Sequence, residues 1–431
     1  MKTVNIGILG LGTVGGGTYQ ILDMNRELIE KRIGKSVKVT KVLLRNLERA
    51  KTAGLTDDQV TQNPDDILKN PEIDIVVEAM GGIEPATSFM LTAMEHGKGV
   101  VTANKAAVAA GFAKLQETAK ANNVEFKFEA SVGGGIPALT AIQEALAGNE
   151  FSEVMGILNG TTNYILTKMT DLGLDYNDVL KDAQDKGFAE ADPTADVEGY
   201  DAGRKLAIMA SIAFHTPVTF DDVYTEGITK ITAKDMRYAK ELGCTIKLLG
   251  IARNTETGIE VKVHPTLIPE SHPLASVNDA FNAVFVHGDA VDDAMFYGRG
   301  AGSLPTGSAV VGDIMDVARN MLFHANGRIG CSCYKQTPIK GIGDTTSSYY
   351  IRMKLEDRAG TLAALAGVFG SSNVSISILL QKAKVDDTAE IVIVTYDVEE
   401  KKFRDAMTVL SGMSMVKEIC SIIRVYQLGE H

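Results

Sequence analysis

The chain has 431 residues, of which 45% are hydrophobic and 23% charged, and a formal net charge of −12. This length predicts two or three domains, and the acidic balance argues against a nucleic-acid binder held by phosphate contacts. The cysteines, Cys244, Cys331, Cys333 and Cys420, lack zinc-ligand spacing and suit a reducing compartment. No signal-peptide pattern opens the chain and no apolar run approaches the ~20 residues of a membrane span, so we expect a cytoplasmic protein.

The first residues predict a dinucleotide-binding unit. The strand Val4–Leu9 leads directly into a G-x-G-x-x-G motif formed by Gly10, Gly12 and Gly15. A helix is predicted next, over Thr18–Ile33. Glycines in this strand–turn–helix setting let backbone N–H groups approach a pyrophosphate at the helix N-terminus. The alternative is a glycine-rich turn without a ligand.

The second predicted strand, Val37–Leu44, ends where dinucleotide-binding folds contact the adenosine ribose. NAD-specific sites place an acidic residue there, whereas this chain has Arg45 and Asn46. An arginine attracts a 2′-phosphate that an acid would repel, so NADP is favoured, although nothing excludes NAD. The alternative for Arg45 is an ordinary surface residue.

Strands predicted at Ile73–Glu78 and Gly99–Thr102 alternate with helices at Glu84–His96 and after Asn104. This alternation predicts a parallel sheet with helices on both faces. Ligands bind beyond the carboxyl ends of such strands, where Lys105 emerges. A lysine at a helix start opposes the helix dipole unless an anion or a bound polar group offsets it. The alternative is a lysine stem packed on the surface.

A glycine-rich run, residues 132–137, follows Glu129. It is expected to expose backbone carbonyls near this carboxylate, which could hold a hard monovalent cation or could simply form a turn. Further on, residues 158–165 form a polar turn leading into a helix, with Thr161 or Thr162 as the predicted N-cap.

Residues 183–205 are unusually acidic. The acidic side chains are Asp185, Glu190, Asp192, Asp196, Glu198 and Asp201. A single helix is predicted over Thr194–Phe214, opened by Pro193. Asp201 and Lys205 then lie one turn apart on one face, and the apolar residues beyond Lys205 predict partial withdrawal of this lysine from water. Taken alone, the stretch could also be a surface ion pair beside a solvated turn.

A second, antiparallel sheet is predicted to carry the substrate site. Its strands are expected at Cys244–Ala252, Ile259–Leu267, Ala283–His287 and Ala294–Tyr297, after a helix at Thr232–Leu242. A glycine-rich turn then precedes a helix over Thr306–Phe323, which we expect to return to the first domain.

Residues 331–348 are polar and turn-rich, as in a linker. Beyond them a βαββαβ order is predicted, which is the ferredoxin-like arrangement. Its strands are Tyr349–Leu355, Ser375–Gln381, Ile391–Tyr396 and Ile419–Tyr426, and its helices are residues 357–369 and Lys401–Ser411.

With these residues placed, the chain resembles the monofunctional homoserine dehydrogenases that carry a C-terminal ACT domain, over essentially its whole length. The most specific matching positions are Ala183, Gly187, Asp192, Pro193, Asp196, Gly199, Asp201 and Lys205. Two further matching stretches are residues 159–163 and 102–105. The resemblance implies an α/β protein with a Rossmann-like NAD(P)-binding domain at 1–135, completed by a returning helix at 304–330. It also implies an α+β substrate-binding, catalytic and dimerisation domain at 136–303, a linker at 331–348 and a ferredoxin-like ACT regulatory domain at 349–428.

The implied reaction is the NAD(P)-dependent interconversion of L-homoserine and L-aspartate 4-semialdehyde, on the route to threonine, methionine and isoleucine. Hydride reduction of an aldehyde builds negative charge on oxygen, which a nearby ammonium group can stabilise and protonate. The resemblance assigns this role to Lys205, and it places Lys105 against the cofactor and the substrate oxygen. Glu190 would bind the substrate ammonium group, Asp201 would orient Lys205, and Asp196 would support the site.

The resemblance also implies sites for a cofactor, a cation and an effector. Dinucleotide contacts map to Gly10, Gly12, Thr13, Val14, Gly15, Arg45, Lys105 and Gly302. A sodium site maps to Glu129 and the backbone carbonyls of Val132, Gly134 and Ile136. In the ACT domain, Asp357 and Gly360 mark a loop where a bound amino acid could approach backbone amides, which predicts feedback inhibition by threonine. Because ACT domains often pair, a homodimer or homotetramer is expected.

Two other functions are alternatives to a homoserine dehydrogenase. A thioester-forming semialdehyde dehydrogenase needs a cysteine nucleophile beside a histidine, and no cysteine lies in such a motif. A non-catalytic amino-acid sensor would not need the intact set of Lys105, Glu190, Asp201 and Lys205.

Overall fold

The computed structural model describes residues 3–46, 48–329, 333–385 and 388–426, so Cys331 and the end of the predicted ACT domain lie outside the described residues. The chain divides into two compact units. The first comprises Met1–Val154, Arg204–Asp221 and Asn282–Thr337. The second comprises Met155–Gly203, Asp222–Phe281 and Pro338–His431.

Strands and helices occur throughout both units. The strands are β1 (Val4–Leu9), β2 (Val37–Leu43), β3 (Val60–Thr61), β4 (Ile75–Glu78), β5 (Gly99–Thr102), β6 (Phe126–Lys127), β7 (Phe151–Ile157), β8 (Tyr224–Thr225), β9 (Cys244–Thr255), β10 (Gly258–Pro269), β11 (Phe281–Gly288), β12 (Asp292–Arg299), β13 (Thr346–Glu356), β14 (Ile376–Val385), β15 (Thr388–Thr395), β16 (Val398–Glu399) and β17 (Val416–Val425). The helices are α1 (Thr13–Met24), α2 (Arg26–Ile33), α3 (Glu48–Thr52), α4 (Asp65–Leu68), α5 (Ala86–Glu95), α6 (Lys105–Ala121), α7 (Ala138–Thr140), α8 (Gly160–Leu172), α9 (Tyr176–Asp185), α10 (Thr194–Val197), α11 (Tyr200–Ala213), α12 (Ala233–Glu241), α13 (Ser303–Leu322), α14 (Thr361–Ser371) and α15 (Glu400–Ser411).

The first unit contains a parallel sheet in the order β3-β2-β1-β4-β5-β6. This is the order of the doubly wound dinucleotide-binding fold, and it confirms the Rossmann-like prediction. The central strands β4 and β5 are completely buried, as expected where helices cover both faces of a sheet. The carboxyl ends of β1, β4 and β5 therefore open on one edge, which is where ligands bind in such sheets.

The helix after the glycine motif differs from the prediction of one helix over Thr18–Ile33. Helix α1 already begins at Thr13, and Asn25 separates it from α2. The glycines near its start argued locally against a helix, because glycine is a poor helix former. Tertiary packing overrides this preference: a Cβ on Gly15 would overlap the carbonyl oxygen of Gly10, and one on Gly17 would overlap the backbone of Ser303.

Helix α13 packs against α1 at very close range in the first unit. A Cβ on Gly307 would press on the backbone between Gly17 and Thr18. The hydroxyl of Ser303 also donates a hydrogen bond to the carbonyl of Thr13 at 2.9 Å. Apolar residues of α13, such as Val310, share one core with the strands of the parallel sheet. The start of α13 is thereby fixed beside the glycine motif.

In the second unit, β9 and β10 form a long antiparallel hairpin. The C-terminal residues follow the predicted βαββαβ order, with strands arranged β17-β13-β15-β14, and this confirms the ferredoxin-like prediction. Their core is built from apolar side chains of both helices and of the sheet, for example Leu365, Phe403 and Ile393. The first of these strands begins at Thr346 instead of the predicted Tyr349.

The C-terminal sheet is continuous with the hairpin. Strand β17 pairs in parallel with β10, where Thr266 and Leu267 lie opposite Arg424 and Val425. The chain that leads into β13 is also bound to the hairpin, because Ile259 N–H donates to Pro338 and the N–H of Lys340 donates back to Ile259. These backbone contacts make the C-terminal residues part of the second compact unit.

The single helix predicted over Thr194–Phe214 is two helices. Gly199 separates α10 from α11 and has a positive φ of 81°, which only glycine adopts without strain. A Cβ at this position would also press on Val263, at 3.1 Å. Glycine is therefore favoured here both by the backbone conformation and by the neighbouring β10 strand, and the hydrophobic periodicity did not reveal the break.

In the described part of the chain, no helix is both long enough and apolar enough to cross a membrane.

Candidate active site

The glycine motif and the end of β2 line one cleft in the first unit. Gly10, Gly12 and Arg45 contribute to its wall, and its volume is about 470 Å³. Gly10 has a positive φ of 95°, and a Cβ on Gly12 would project into open space. Arg45 is exposed and lines the same cleft. A dinucleotide phosphate fits against such a glycine backbone, with a basic side chain near the ribose end.

The remaining predicted cofactor residues lie at the joined starts of α1 and α13. Thr13, Val14 and Gly15 form the first turn of α1, whose N-cap is Gly12. Gly302, with a φ of 131°, is the N-cap of α13 and precedes the serine that binds the Thr13 carbonyl. The structure therefore brings the predicted cofactor residues of distant sequence segments to one end of the first unit.

Lys105 is the first residue of α6, as predicted, and is partly buried. The helix start is fixed by Asn104, whose side-chain oxygen caps it and whose Nδ2 donates to the Gly82 carbonyl at 2.6 Å. Beneath it lies Glu78, which is completely buried at the end of β4. One oxygen of Glu78 accepts the Thr102 hydroxyl at 2.6 Å, and the other accepts the amide nitrogen of Met80 at 2.8 Å. Glu78 thus ties the ends of β4 and β5 together beneath Lys105.

The predicted cation loop also lies in the first unit. Gly134 packs so closely on the backbone of Gly300 that a Cβ would overlap it, and Gly135 N–H donates to the Arg299 carbonyl at 3.1 Å. The Ile136 carbonyl accepts the Ala138 amide at 2.9 Å. The loop that bears the predicted carbonyl ligands is thereby joined to the loop that ends at Gly302.

The Glu129 carboxylate is buried at the base of this loop. It accepts hydrogen bonds from Leu139 N–H at 3.0 Å and from the N–H and hydroxyl of Thr140 at 2.6 and 2.5 Å. Burial raises its pKa, and these hydrogen bonds oppose the shift. Asp313 of α13 accepts the Glu129 amide at 2.9 Å, and burial raises the pKa of Asp313 well above its usual value. Among the described residues, no group of three or more His, Cys, Asp or Glu side chains could hold a metal ion.

In the second unit, Asn159 holds two of the predicted substrate acids. Its Nδ2 donates to Asp196 at 2.7 Å and to Asp201 at 2.9 Å. Its side-chain oxygen accepts the Thr162 amide at 2.9 Å, so Asn159 is the N-cap of α8. The prediction of Thr161 or Thr162 as the cap was wrong, because the asparagine that begins the polar turn reaches the free amide first.

Asp201 and Lys205 lie one turn apart on α11, as predicted, and both are buried. The separation of α10 from α11 does not disturb this pair. Asp192 accepts the amide and the hydroxyl of Thr194, at 3.1 and 2.6 Å, and so serves the turn.

Glu190 is exposed on the loop between α9 and α10. The loop is anchored at its start, where the Thr161 hydroxyl donates to the Phe188 carbonyl at 2.7 Å and the Phe188 ring stacks on Tyr164 at 4.6 Å. The side chain of Gln184 donates to the Glu190 carbonyl at 3.1 Å. The loop backbone is therefore held while the Glu190 carboxylate faces outward.

The predicted effector residues line a separate cleft in the second unit. Asp357 and Gly360 border a volume of about 250 Å³ between the start of α14 and the sheet residues Gln381 and Ile391. Gly360 is the N-cap of α14 and has a positive φ of 87°. A Cβ on Gly360 would meet only open space, so the glycine leaves the cleft accessible.

The roles of Glu78 and Asn159 were not predicted from the sequence. Glu78 stands at the carboxyl end of a buried strand, which is a signal for a site residue in a parallel sheet. Asn159 was noted only as part of a matching stretch, because its two aspartate partners lie far along the chain.

Known proteins match this chain throughout. Residues 10–129 match the family model described as homoserine dehydrogenase, NAD binding domain, residues 137–315 the one described as homoserine dehydrogenase, and residues 349–412 the ACT domain. The homoserine dehydrogenase of Neisseria gonorrhoeae is 43% identical over 436 residues, which cover 100% of both chains.

Solved structures agree. That of a homoserine dehydrogenase from Thiobacillus denitrificans has a TM-score of 0.95 and 44% identity, and covers 100% of this chain and 99% of its own. A hyperthermophilic archaeal homoserine dehydrogenase in complex with NADPH has a TM-score of 0.63 and 25% identity, and covers 73% of this chain and 97% of its own. The chain therefore belongs to the homoserine dehydrogenases with a C-terminal ACT domain, which are NAD(P)-dependent oxidoreductases acting on a CH–OH group.

Proposed function

We propose that this chain interconverts L-homoserine and L-aspartate 4-semialdehyde with NADP as its preferred cofactor, on the route to threonine, methionine and isoleucine. The observation that carries the proposal is the arrangement of Asn159, Asp196 and Asp201 one turn before the buried Lys205. Acids and a lysine gathered in a buried, hydrogen-bonded network are typical of functional sites.

The cofactor residues are the backbone of the glycine motif, the first turn of α1, Gly302 and Arg45. Bound nicotinamide dinucleotide supplies the hydride acceptor. Arg45 supports the preference for NADP, because its positive charge at the end of β2 suits a 2′-phosphate. The archaeal relative solved with NADPH supports the same choice.

Lys205 acts as the proton donor and acceptor at the substrate oxygen, and Lys105 binds the same oxygen and the cofactor. An ammonium group at this oxygen stabilises the charge that develops when the aldehyde is reduced. Asp201 orients Lys205 from one turn away. Glu78 and Asn104 hold the start of α6, so Lys105 projects from a fixed backbone position.

The exposed carboxylate of Glu190 binds the substrate ammonium group, and Asp196 supports Asp201 through their shared partner Asn159. Glu190 lies on a loop with an anchored backbone, which fixes where its charge can reach. These roles separate binding of the substrate, by Glu190, from chemistry at the oxygen, by Lys205.

A monovalent cation, Na⁺ by resemblance, would bind the backbone carbonyls of Val132, Gly134 and Ile136 beside Glu129. The loop suits such an ion, because Gly133 and Gly134 have positive φ and a hard cation prefers oxygen ligands. The Glu129 carboxylate already accepts three hydrogen bonds, so its part is to fix the loop below the ion.

The Gly360 cleft is proposed to bind threonine as a feedback inhibitor, and the enzyme is proposed to act in the cytoplasm as a homodimer or homotetramer. The free thiols of Cys244, Cys333 and Cys420 suit a reducing compartment. Threonine inhibition that disappears in Gly360→Ala would support the effector site, since Gly360 lines the cleft and its positive φ disfavours a residue with a side chain.

The assay follows absorbance of the reduced cofactor. We expect NADPH consumption with L-aspartate 4-semialdehyde, and a higher kcat/KM with NADPH than with NADH. The Arg45→Ala variant should lose most of that preference. Phosphate-dependent reduction of NADP⁺ would instead indicate a thioester-forming enzyme, and no turnover would indicate an amino-acid sensor.

Substitution of either lysine tests the mechanism. Lys205→Ala and Lys105→Ala should each lower kcat by at least about a hundredfold, because each removes a charge that acts on the transition state. Lys120→Ala, at the exposed end of the same helix as Lys105, is the matched control and should keep normal turnover. Near-normal kcat in a folded Lys205 or Lys105 variant would remove that lysine from the mechanism.

A further inference from the structure

Arg424 of the C-terminal strand β17 is a buried cation that binds two carboxylates in the second unit. Its Nη2 donates to both oxygens of Glu400 at 2.9 Å, and its Nη1 donates to Glu226 at 2.7 Å. The side chains of Arg424 and Glu400 are 7% and 3% exposed, whereas that of Glu226 is 35% exposed. Glu400 belongs to the ferredoxin-like domain, but Glu226 belongs to the substrate domain.

Two aromatic rings hold the Arg424 guanidinium in place. It lies 4.9 Å from the ring centre of Tyr224 and 5.8 Å from that of Tyr349, which are cation–π distances. The Tyr224 hydroxyl also donates to Glu226 at 3.2 Å. The link between Arg424 and Glu226 therefore has a defined geometry and is not a mobile surface pair.

The residues after Glu226 lie directly against the substrate segment. Ile228 N–H donates to the Val197 carbonyl at 2.9 Å, and the Thr229 hydroxyl donates to Glu198 at 3.3 Å. Gly227 approaches so closely that a Cβ would overlap the Val197 carbonyl. Val197 and Glu198 immediately follow Asp196 and lie within the turn that ends at Asp201.

We propose that Arg424 and Glu226 are positioning residues for the substrate segment 196–201, and that the C-terminal domain acts on substrate binding through this ion pair. The chain of contacts runs from β17 through Glu226 and Gly227 to Val197. The proposal rests on the roles proposed above for Asp196 and Asp201, which support and orient Lys205 in the substrate site.

The surroundings of the pair allow it to act as a link. A cavity of about 820 Å³ borders Arg424, Glu226, Thr229 and Glu198, so the segment after Glu226 has space to shift when the ion pair is broken. Arg424 keeps its bonds to Glu400 when Glu226 is replaced, so no buried charge is left unpaired. A Glu226 variant is therefore expected to fold.

The test measures kcat and KM for L-homoserine and for NADP⁺ in full-length Glu226→Ala and Glu226→Gln. Glu256→Ala is the matched control, because Glu256 is an exposed acid on the turn between β9 and β10. We expect kcat/KM for homoserine to fall about tenfold in Glu226→Ala, since small misplacements of binding groups are costly. The fall should be smaller in Glu226→Gln, whose amide oxygen can still accept from Arg424. The KM for NADP⁺ and the thermal midpoint should match those of the control.

An unchanged kcat/KM for homoserine in Glu226→Ala would overturn the proposal. An equal rise in the KM for homoserine and in the KM for NADP⁺ would also overturn it, because it indicates general damage to the protein. Asp196→Ala and Asp201→Ala are assayed in parallel. If these variants lose homoserine turnover and Glu226→Ala does not, only the link fails. If they keep normal turnover, the substrate role of the segment fails and the link fails with it.

Discussion

Buried polar side chains fix the positions of the proposed site residues. Glu78 is the clearest case, because it is completely buried below Lys105. Its carboxylate accepts hydrogen bonds from Thr102, at the end of β5, and from Met80, just after β4. Asn159 likewise fixes Asp196 and Asp201, because its side-chain amide donates a hydrogen bond to each of them. The reactive groups in this family of sites are few, and more residues are needed to hold them.

Glu78→Ala should lower the free energy of unfolding by about 3 kcal/mol, because the hydroxyl of Thr102 and the amide of Met80 lose a buried acceptor. Urea unfolding measures the change. Glu84→Ala is the control, since Glu84 is an exposed acid after the same strand. Equal stability of the two variants would contradict the structural role of Glu78.

Lys247 is a buried ammonium group without a carboxylate partner among its hydrogen bonds. Its Nζ donates to Val277 O at 2.6 Å, to Asn278 at 2.9 Å and to Asn163 at 3.3 Å. Burial lowers its pKa from 10.5 to about 8, and the nearby charges of Asp171 and Asp279 oppose the shift. Between these two pH values the unfolded chain binds the proton more tightly than the folded chain does.

The Lys247 contribution to stability therefore rises with pH through this window, and it is unfavourable below pH 8, where both states are protonated. We expect the stability of the wild type relative to Lys247→Met to rise by up to about 3 kcal/mol between pH 8 and pH 10.5. Urea titrations across this range measure it, with the exposed Lys240→Met as control. A difference between wild type and Lys247→Met that is independent of pH would show that the lysine is not desolvated.

At the scale of elements, the substrate segment depends on where helices begin and end. Asn159 caps α8, and Gly199 interrupts the helical conformation between α10 and α11. Asp196 lies before this break and Asp201 after it, and both accept hydrogen bonds from Asn159 Nδ2. One asparagine thus couples a helix start to the position of two acids.

Asn159→Ser and Asn159→Ala separate these two roles. Serine can still cap α8, so it should retain about 1 kcal/mol of stability that alanine loses. Both variants lack the Nδ2 donor, and both should raise the KM for homoserine to a similar extent. Thermal unfolding and steady-state kinetics on the two proteins provide the readouts. Recovery of a normal KM in the serine variant would show that only the cap matters.

At the scale of the whole molecule, the C-terminal domain is built into the second unit and not merely tethered to it. Strand β17 extends the sheet beside β10, and residues 338–340 hydrogen-bond to the start of the same strand. The archaeal relative that covers 73% of this chain shows that the family includes shorter chains. In this chain, however, the C-terminal strand covers a sheet edge.

A chain that ends at Ser348 should have a lower thermal midpoint and should self-associate, because β10 would present an uncovered edge. Size-exclusion chromatography and thermal unfolding test this. A chain that ends at Tyr426 keeps β17 and serves as the control. If the shorter chain unfolds at the wild-type temperature as a single species, β17 is dispensable for the second unit.

Features that depend on the order of neighbouring residues could be predicted from the sequence. The glycine motif after β1, the alternation of strands and helices, the βαββαβ order and the spacing of Asp201 and Lys205 are all readable from neighbouring residues. These patterns are the basis of the Rossmann-like and ferredoxin-like predictions. Together with the matching motifs they indicate the protein family.

Features that depend on residues far apart in the chain could be established only from the folded structure. Helix α1 contains glycines where α13 packs on it, and Gly199 has a positive φ between α10 and α11 with Val263 close beside it. Asn159 finds its aspartate partners across a long stretch of sequence, and Arg424 meets Glu226 only when β17 joins the second sheet. Such contacts have no periodic signature, since each depends on which surfaces the folded chain brings together.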